Sequence, residues 1–124
     1  MPIHTEFHDG ILRLSIAGVP PRGEVVEILL AACSDPRFTA DTAVLIDARE
    51  SQANPSSADL HEYARRIVSR CPVRYAAKWA VVVRQEPLQF GLGRMGALTM
   101  ESAGIPMAAF TDIDAALTYL KSEK

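Results

Sequence analysis

Two short runs in this chain, Ala43-Val44-Leu45-Ile46 and Trp79-Ala80-Val81-Val82-Val83, are apolar at every position. A strand with one wet face alternates apolar and polar residues. An uninterrupted run of four or five such residues, free of Gly and Pro, reads instead as a strand covered on both sides. Covering both sides takes helices, and the stretches around the two runs are helical in period, so the chain is constrained to a layered α/β architecture.

The remaining elements follow from period and punctuation. Ile3, Thr5 and Phe7 alternate with His4, Glu6 and His8, and Asp9-Gly10 supplies the positive φ angles of a tight hairpin turn. Ile11, Leu12, Leu14 and Ile16 then return as the paired strand, which Gly18-Val19-Pro20-Pro21 ends. From Arg22 the period becomes helical, with Val25, Ile28, Leu29 and Ala32 on one face and Asp35-Pro36 as the stop. After the first apolar run, a loop from Ala48 to Ala53 leads to Asn54-Pro55, a cap and first-turn pair. The helix that follows is amphipathic: Leu60, Tyr63, Ala64, Ile67 and Val68 form one stripe, opposite Asp59, Glu62, Arg65, Arg66, Ser69 and Arg70. Glu86-Pro87 opens another helix, to Ala103. Gly104-Ile105-Pro106 breaks it, Met107 to Phe110 is a last strand, and Thr111-x-x-Asp114 reads as a capping box for a final helix. The predicted order is strand, strand, helix, then strand and helix three times more: an α/β fold with a mostly parallel five-stranded sheet, an N-terminal β-hairpin and four helices.

Size and charge narrow the function classes. A chain of 124 residues with 48% apolar content fits one domain with one core, needing no metal or disulfide staple. A net charge of −2 carries no footprint for nucleic acid. Neither a signal peptide nor a spanning helix fits, and two separated cysteines, Cys33 and Cys71, suit a reducing cytoplasm.

Candidate chemistry is sparse. Gly91-Leu92-Gly93-Arg94-Met95-Gly96 matches the dinucleotide pattern G-x-G-x-x-G, but Gln85 to Phe90 separate it from the preceding strand. Its glycines therefore fall inside a helix, where no pyrophosphate can reach the helix N-terminus. Three helical glycines cost about 1 kcal/mol each relative to Ala, so a helix bearing Leu88, Phe90, Leu92, Met95, Leu98 and Met100 is both greasy and soft. His4, Glu6 and His8 share a strand face, which without a further ligand is the solvent side of an edge strand; no metal or other cofactor is expected. No serine or cysteine has a nucleophile's setting, so no enzyme activity is expected. Asp47 stands at a strand's carboxyl end, where ligands of open α/β sheets gather. Ser56 and Ser57, at the start of the amphipathic helix, are caps or phosphate acceptors. Arg65, Arg66, Arg70, Arg74 and Lys78 form a basic cluster: a solvated face, or one drawn to anionic lipid.

Together Val44-Leu45-Ile46-Asp47 with Arg49, the Trp79-to-Val83 strand, Pro87-Leu88-Gln89-Phe90-Gly91-Leu92-Gly93-Arg94-Met95 and the segment from Phe110 to Leu120 resemble the SpoIIAA-like (STAS) superfamily, more closely its stand-alone bacterial STAS/CRAL-TRIO-like branch. The resemblance covers most of the chain and implies one SpoIIAA-like domain over residues 1–124, built as a right-handed β-α superhelix. Phosphoswitch members carry D-S-S-G after the third strand and are phosphorylated on the second serine; here Pro55-Ser56-Ser57-Ala58 stands in its place, without the acid or the glycine. The related lipid-binding folds imply a greasy cavity gated by movable helices. The leading expectation is thus a non-enzymatic cytoplasmic module for a small apolar or amphiphilic, lipid-like ligand, held by Phe90, Leu92, Met95, Met100, Tyr63, Asp47 and Arg94, at a membrane surface if the basic cluster engages one. The alternative is a phospho-switched protein-interaction domain of the anti-sigma factor antagonist type, modified at Ser57 or Ser56. The sequence leaves the oligomeric state open, a dimer included.

Overall fold

The computed structural model describes residues 3–21, 23–53, 55–70 and 78–122, so expectations placed on Arg22, Asn54, Cys71 and Arg74 lie outside the described residues. Asp9 and Gly10 take φ of 54° and 74°, closing a two-residue turn between β1 (Ile3–His8) and β2 (Ile11–Gly18). The hairpin pairs Ile3 with Ile16 and His8 with Ile11, leaving His4, Glu6 and His8 exposed along the edge. Three parallel strands extend the sheet: β3 (Ala43–Ser51), β4 (Trp79–Val82) and β5 (Met107–Phe110). Strand order is β1-β2-β3-β4-β5, with no strand skipped. Between and after them run α1 (Glu24–Cys33), α2 (Ser57–Arg70), α3 (Pro87–Ser102) and α4 (Ile113–Lys121).

The apolar runs divide by parity, as a strand's alternation requires. Val44, Trp79, Val81 and Val83 join a core with α1, α2 and α3, while Ala43, Leu45, Ala80 and Val82 join a second one with α4. Both faces are dry, and Trp79 is 1% exposed. Three helices thus share one face of the sheet and one helix serves the other.

Several local expectations are corrected. The face α1 buries is Val26, Leu29, Leu30 and Cys33, so Val25, Ile28 and Ala32 are only partly covered. Gly23, in the left-handed region at φ 81°, precedes the helix's first turn as the N-cap. Ser56 caps α2: its Oγ accepts from the Asp59 amide at 3.1 Å, and Asp59 Oδ2 accepts from the Ser56 amide at 3.0 Å, a reciprocal capping box. At α4 the cap falls one residue later than expected, with Asp112 accepting from the Ala115 amide at 3.0 Å.

Of the loop predicted from Ala48 to Ala53, residues Ala48 to Ser51 are strand. Strand β4 ends opposite Asp47, so the carbonyls beyond it on β3 lose that neighbour. Arg84 replaces it, its guanidinium donating to the carbonyls of Arg49 at 3.2 Å and Ser51 at 2.6 Å. On the other side β3 stays paired with β2 through one extra residue, a bulge between the pairs Ser15–Asp47 and Ala17–Glu50.

The glycines of α3 have different reasons to be there. A Cβ at Gly93 would lie 3.1 and 3.3 Å from the two methyls of Val83, so the bare Cα sets how closely α3 approaches the sheet. A Cβ at Gly91 would meet nothing within 4 Å. Gly91→Ala is therefore expected to stabilise the protein by about 1 kcal/mol through helix propensity. Gly93→Ala should destabilise it by about 1–3 kcal/mol, because overpacking exceeds that gain. Urea denaturation of the two variants checks the opposite signs.

Candidate functional site

Three helices resting on a narrow sheet do not fill the space beneath them. A groove of about 500 Å³ opens between the sheet and α1, α2 and α3. Its floor is Ile46, Val81 and Val83, and its walls include Leu29 from α1, Leu60 from α2 and Leu92 from α3. Tyr63 lines it from α2, and the other polar side chains among the described lining residues are Ser51, Gln52, Asp59 and Gln89. These belong to the end of β3 and the first turns of α2 and α3, so the polar rim lies at the carboxyl ends of the strands, where open α/β sheets present their ligand sites. Met100 and Met107, at the other end of α3 and the start of β5, line the groove away from that rim.

Of the residues singled out from sequence, Leu92, Met100 and Tyr63 line this groove. Phe90 is packed against the three-helix core, with the Arg94 guanidinium 6.0 Å from its ring centroid. Met95 and Arg94 face a shallow outer depression with His61 and Leu98, on the side of α3 away from the sheet. Exposed Leu88 and Leu98 belong to the outside of α3 too. Sequence reasoning missed Ile16, Leu29, Ala48, Leu60, Gln52 and Gln89 as groove residues. Ile16 was within reach, since it shares the apolar face of β2, but which wall residues meet depends on helix spacing.

Asp47 does not share this site. It follows Ala43 and Leu45 to the α4 side of the sheet and is 9% exposed. Arg49 grips it through Nε at 2.9 Å and Nη2 at 2.8 Å, and Arg13 reaches it at 3.3 Å. Burial pushes the Asp47 pKa up, but hydrogen bonds and charge from Arg49, with a further bond from Arg13, outweigh it and hold the carboxyl below its ordinary 3.8. The same pairing raises the Arg49 pKa. A carboxyl lowered in this way contributes stability above the ordinary aspartate range and loses it as pH falls through the folded-state value. Asp47→Asn is expected to cost about 1.5–3 kcal/mol at neutral pH. The difference from the parent should shrink towards pH 2, a trend that urea melts across the acid range would measure.

The basic cluster is split by the fold. Arg66 and Arg70 of α2 both pair with Glu27 of α1, and Arg65 pairs with Glu62. Lys78 lies instead against α4, its ammonium 4.7 Å from the Tyr119 ring centroid. Arg65, Arg66, Arg70 and Lys78 therefore do not form one unbalanced positive face. Among the described residues no helix is long and apolar enough to cross a membrane, and no group of three His, Cys, Asp or Glu side chains is placed to hold a metal ion. His4 lies 3.5 Å from Glu6, and His8 lies 3.3 Å from Asp9, as separate exposed pairs. The glycine motif sits within α3, which starts at Pro87, and so offers no N-terminal cradle.

Ser56 and Ser57 are exposed at the N-terminus of α2, between the groove residues Pro55 and Asp59. The Ser57 carbonyl is 2.8 Å from Nδ1 of His61 one turn on.

No family model matches the chain, and no curated protein matches its sequence. Solved structures do resemble it. An anti-sigma factor antagonist from Mycobacterium paratuberculosis superposes with a TM-score of 0.56 at 22% identity, covering 97% of this chain and 93% of that one. An uncharacterized DUF3478-family protein with a SpoIIAA-like fold, from Shewanella loihica PV-4, gives a TM-score of 0.58 at 17% identity over 95% and 91%. The chain has the SpoIIAA/STAS-like fold expected from its sequence.

Proposed function

We propose that this SpoIIAA-like domain is a non-enzymatic regulatory module that works by binding a protein partner, with the N-terminus of α2 as its contact and modification point. The observation that carries this reading is the exposed serine pair, Ser56 and Ser57, at the first turn of a 14-residue helix. A phosphate placed there meets backbone N–H groups and the positive end of the helix dipole. It also meets the Asp59 carboxylate, which the capping box holds close to Ser56. Modification at Ser56 would replace the cap, whereas modification at Ser57 would leave it intact and add about two negative charges to the exposed end. The structural likeness to an anti-sigma factor antagonist supports a partner-binding role of that kind. A cytoplasmic site of action goes with this reading.

Phosphopeptide mapping of the protein taken from its own cells is expected to find a modified serine in the tryptic fragment from Glu50 to Arg65. Recovery of that fragment only in unmodified form, through growth and stationary phase alike, counts against the proposal.

The groove favours a second reading, in which the module also holds a small apolar or amphiphilic ligand. A volume of about 500 Å³ falls within the usual range of small-molecule sites, and its walls are mostly aliphatic. Membrane attachment has less support, since arginines of α2 are paired with Glu27 and Glu62. The neutral dye N-phenylnaphthylamine should show saturable fluorescence enhancement with the protein, and Ala48→Phe, which fills the floor, should abolish it. Absence of any saturable signal with the parent would end this reading.

A further inference from the structure

β1 is terminal in the strand order, and β2 pairs with it along one side. The two-residue turn makes His8 and Ile11 a hydrogen-bonded pair, and such pairs alternate with non-bonded ones along an antiparallel ladder. Glu6 with Arg13 and His4 with Ser15 are therefore the other bonded pairs. Ile3, Thr5 and Phe7 turn their N–H and C=O groups away from β2, and among the described residues no other backbone group bonds to them. Arg37 lies over the Phe7 ring but gives its hydrogen bonds to Asp35. Natural sheet edges are blunted by proline, lysine, a bulge or brevity. The opposite edge, β5, is four residues long, whereas β1 runs for six in unbroken register with neither proline nor lysine.

A second copy of β1, antiparallel across a two-fold axis at Thr5, complements this edge. Thr5 then faces the copy's Thr5, Ile3 faces its Phe7 and His4 faces its Glu6. The outward main-chain groups of the two strands meet as bonded pairs. Ile3 and Phe7, which belong to the α1 side of the sheet, extend its apolar surface across the axis. On the exposed side an imidazole N–H meets a carboxylate, twice by symmetry. Other registers lose this match. A slip of one residue sets outward groups against groups already bonded to β2, and a slip of two towards the turn sets Glu6 against Glu6, like charges directly opposite. A slip of two the other way sets His4 against His4 and shortens the ladder. Because α1 packs on both β1 and β2, the same axis brings it about 10 Å from its own copy, the spacing at which helices pack.

We propose that β1 is a self-association edge: two copies of the chain pair antiparallel through Ile3–Phe7, and their sheets join into one. The cross-strand pairs of His4 with Glu6 fix the register. This interface is independent of the serine pair and of the groove.

Sedimentation equilibrium of the untagged protein, from about 1 µM to about 1 mM, is expected to show the mass rising from 13.5 kDa towards twice that value. Thr5→Pro removes an outward N–H without touching a bond to β2, a position where edge strands accept proline, and should hold the protein at the monomer mass throughout. Glu6→Lys should weaken association about tenfold, since both symmetry-related pairs are lost. Adding His4→Glu to Glu6→Lys should restore it by exchanging the partners. A mass that stays at 13.5 kDa to the highest concentration overturns the proposal. So does association that persists in a folded Thr5→Pro variant, is unmoved by Glu6→Lys or is not restored by the double exchange, because the interface then lies elsewhere. Should Thr5→Pro lose the circular dichroism of the fold, the charge variants on the exposed side of β1 decide alone.

Discussion

The structure depends on the requirement that β3 and β4 be dry on both sides. A parallel strand in the middle of a sheet satisfies its backbone through its neighbours, and every second side chain must then find an apolar partner above or below. Val44, Trp79 and Val81 on one face and Leu45, Ala80 and Val82 on the other are all buried. The chain meets this unequally, with three helices on one side and α4 alone on the other. A single helix seats directly over the middle of a small sheet. Three helices must lean on one another as well as on the strands, and the groove is what their mutual spacing leaves uncovered.

Much of this was legible from the residues. The hairpin turn, the parity of the two apolar runs and the element order are local patterns that burial reinforces. What was not legible depends on partners distant in sequence. Ala48 to Ser51 carry a mixed, partly charged sequence typical of a loop, and they remain strand because β2 pairs with them on one side while Arg84, more than thirty residues later, takes up the carbonyls of Arg49 and Ser51 on the other. Asp47 looked like a ligand at a strand end, yet Arg49, two residues on, folds back on it and ties it into a half-buried ion pair. The arginines of α2 looked like a patch until α1 brought Glu27 against Arg66 and Arg70. The greasy helix α3 overlies the groove, whereas Met95 and Arg94, expected among the ligand contacts, line the outer depression instead.

The serine pair and the groove occupy the same end of α2. Pro55 and Asp59 line the groove, and Ser56 and Ser57 lie between them, so one helical turn forms part of the wall and also presents the hydroxyls. A charge added to that turn alters the rim's potential, and an occupant beneath it bears on the turn's position. The two proposed roles, binding a partner and holding a small molecule, would therefore meet in a single structural element.

The bare Cα of Gly93 acts as a spacer of minimum thickness. It rests against Val83, which is also part of the groove's floor, so the roof and floor of the groove touch at that point and diverge away from it. The bare Cα thus marks the point of closest approach between roof and floor, where an added methyl would have to be met by a shift of a few tenths of an ångström at Val83.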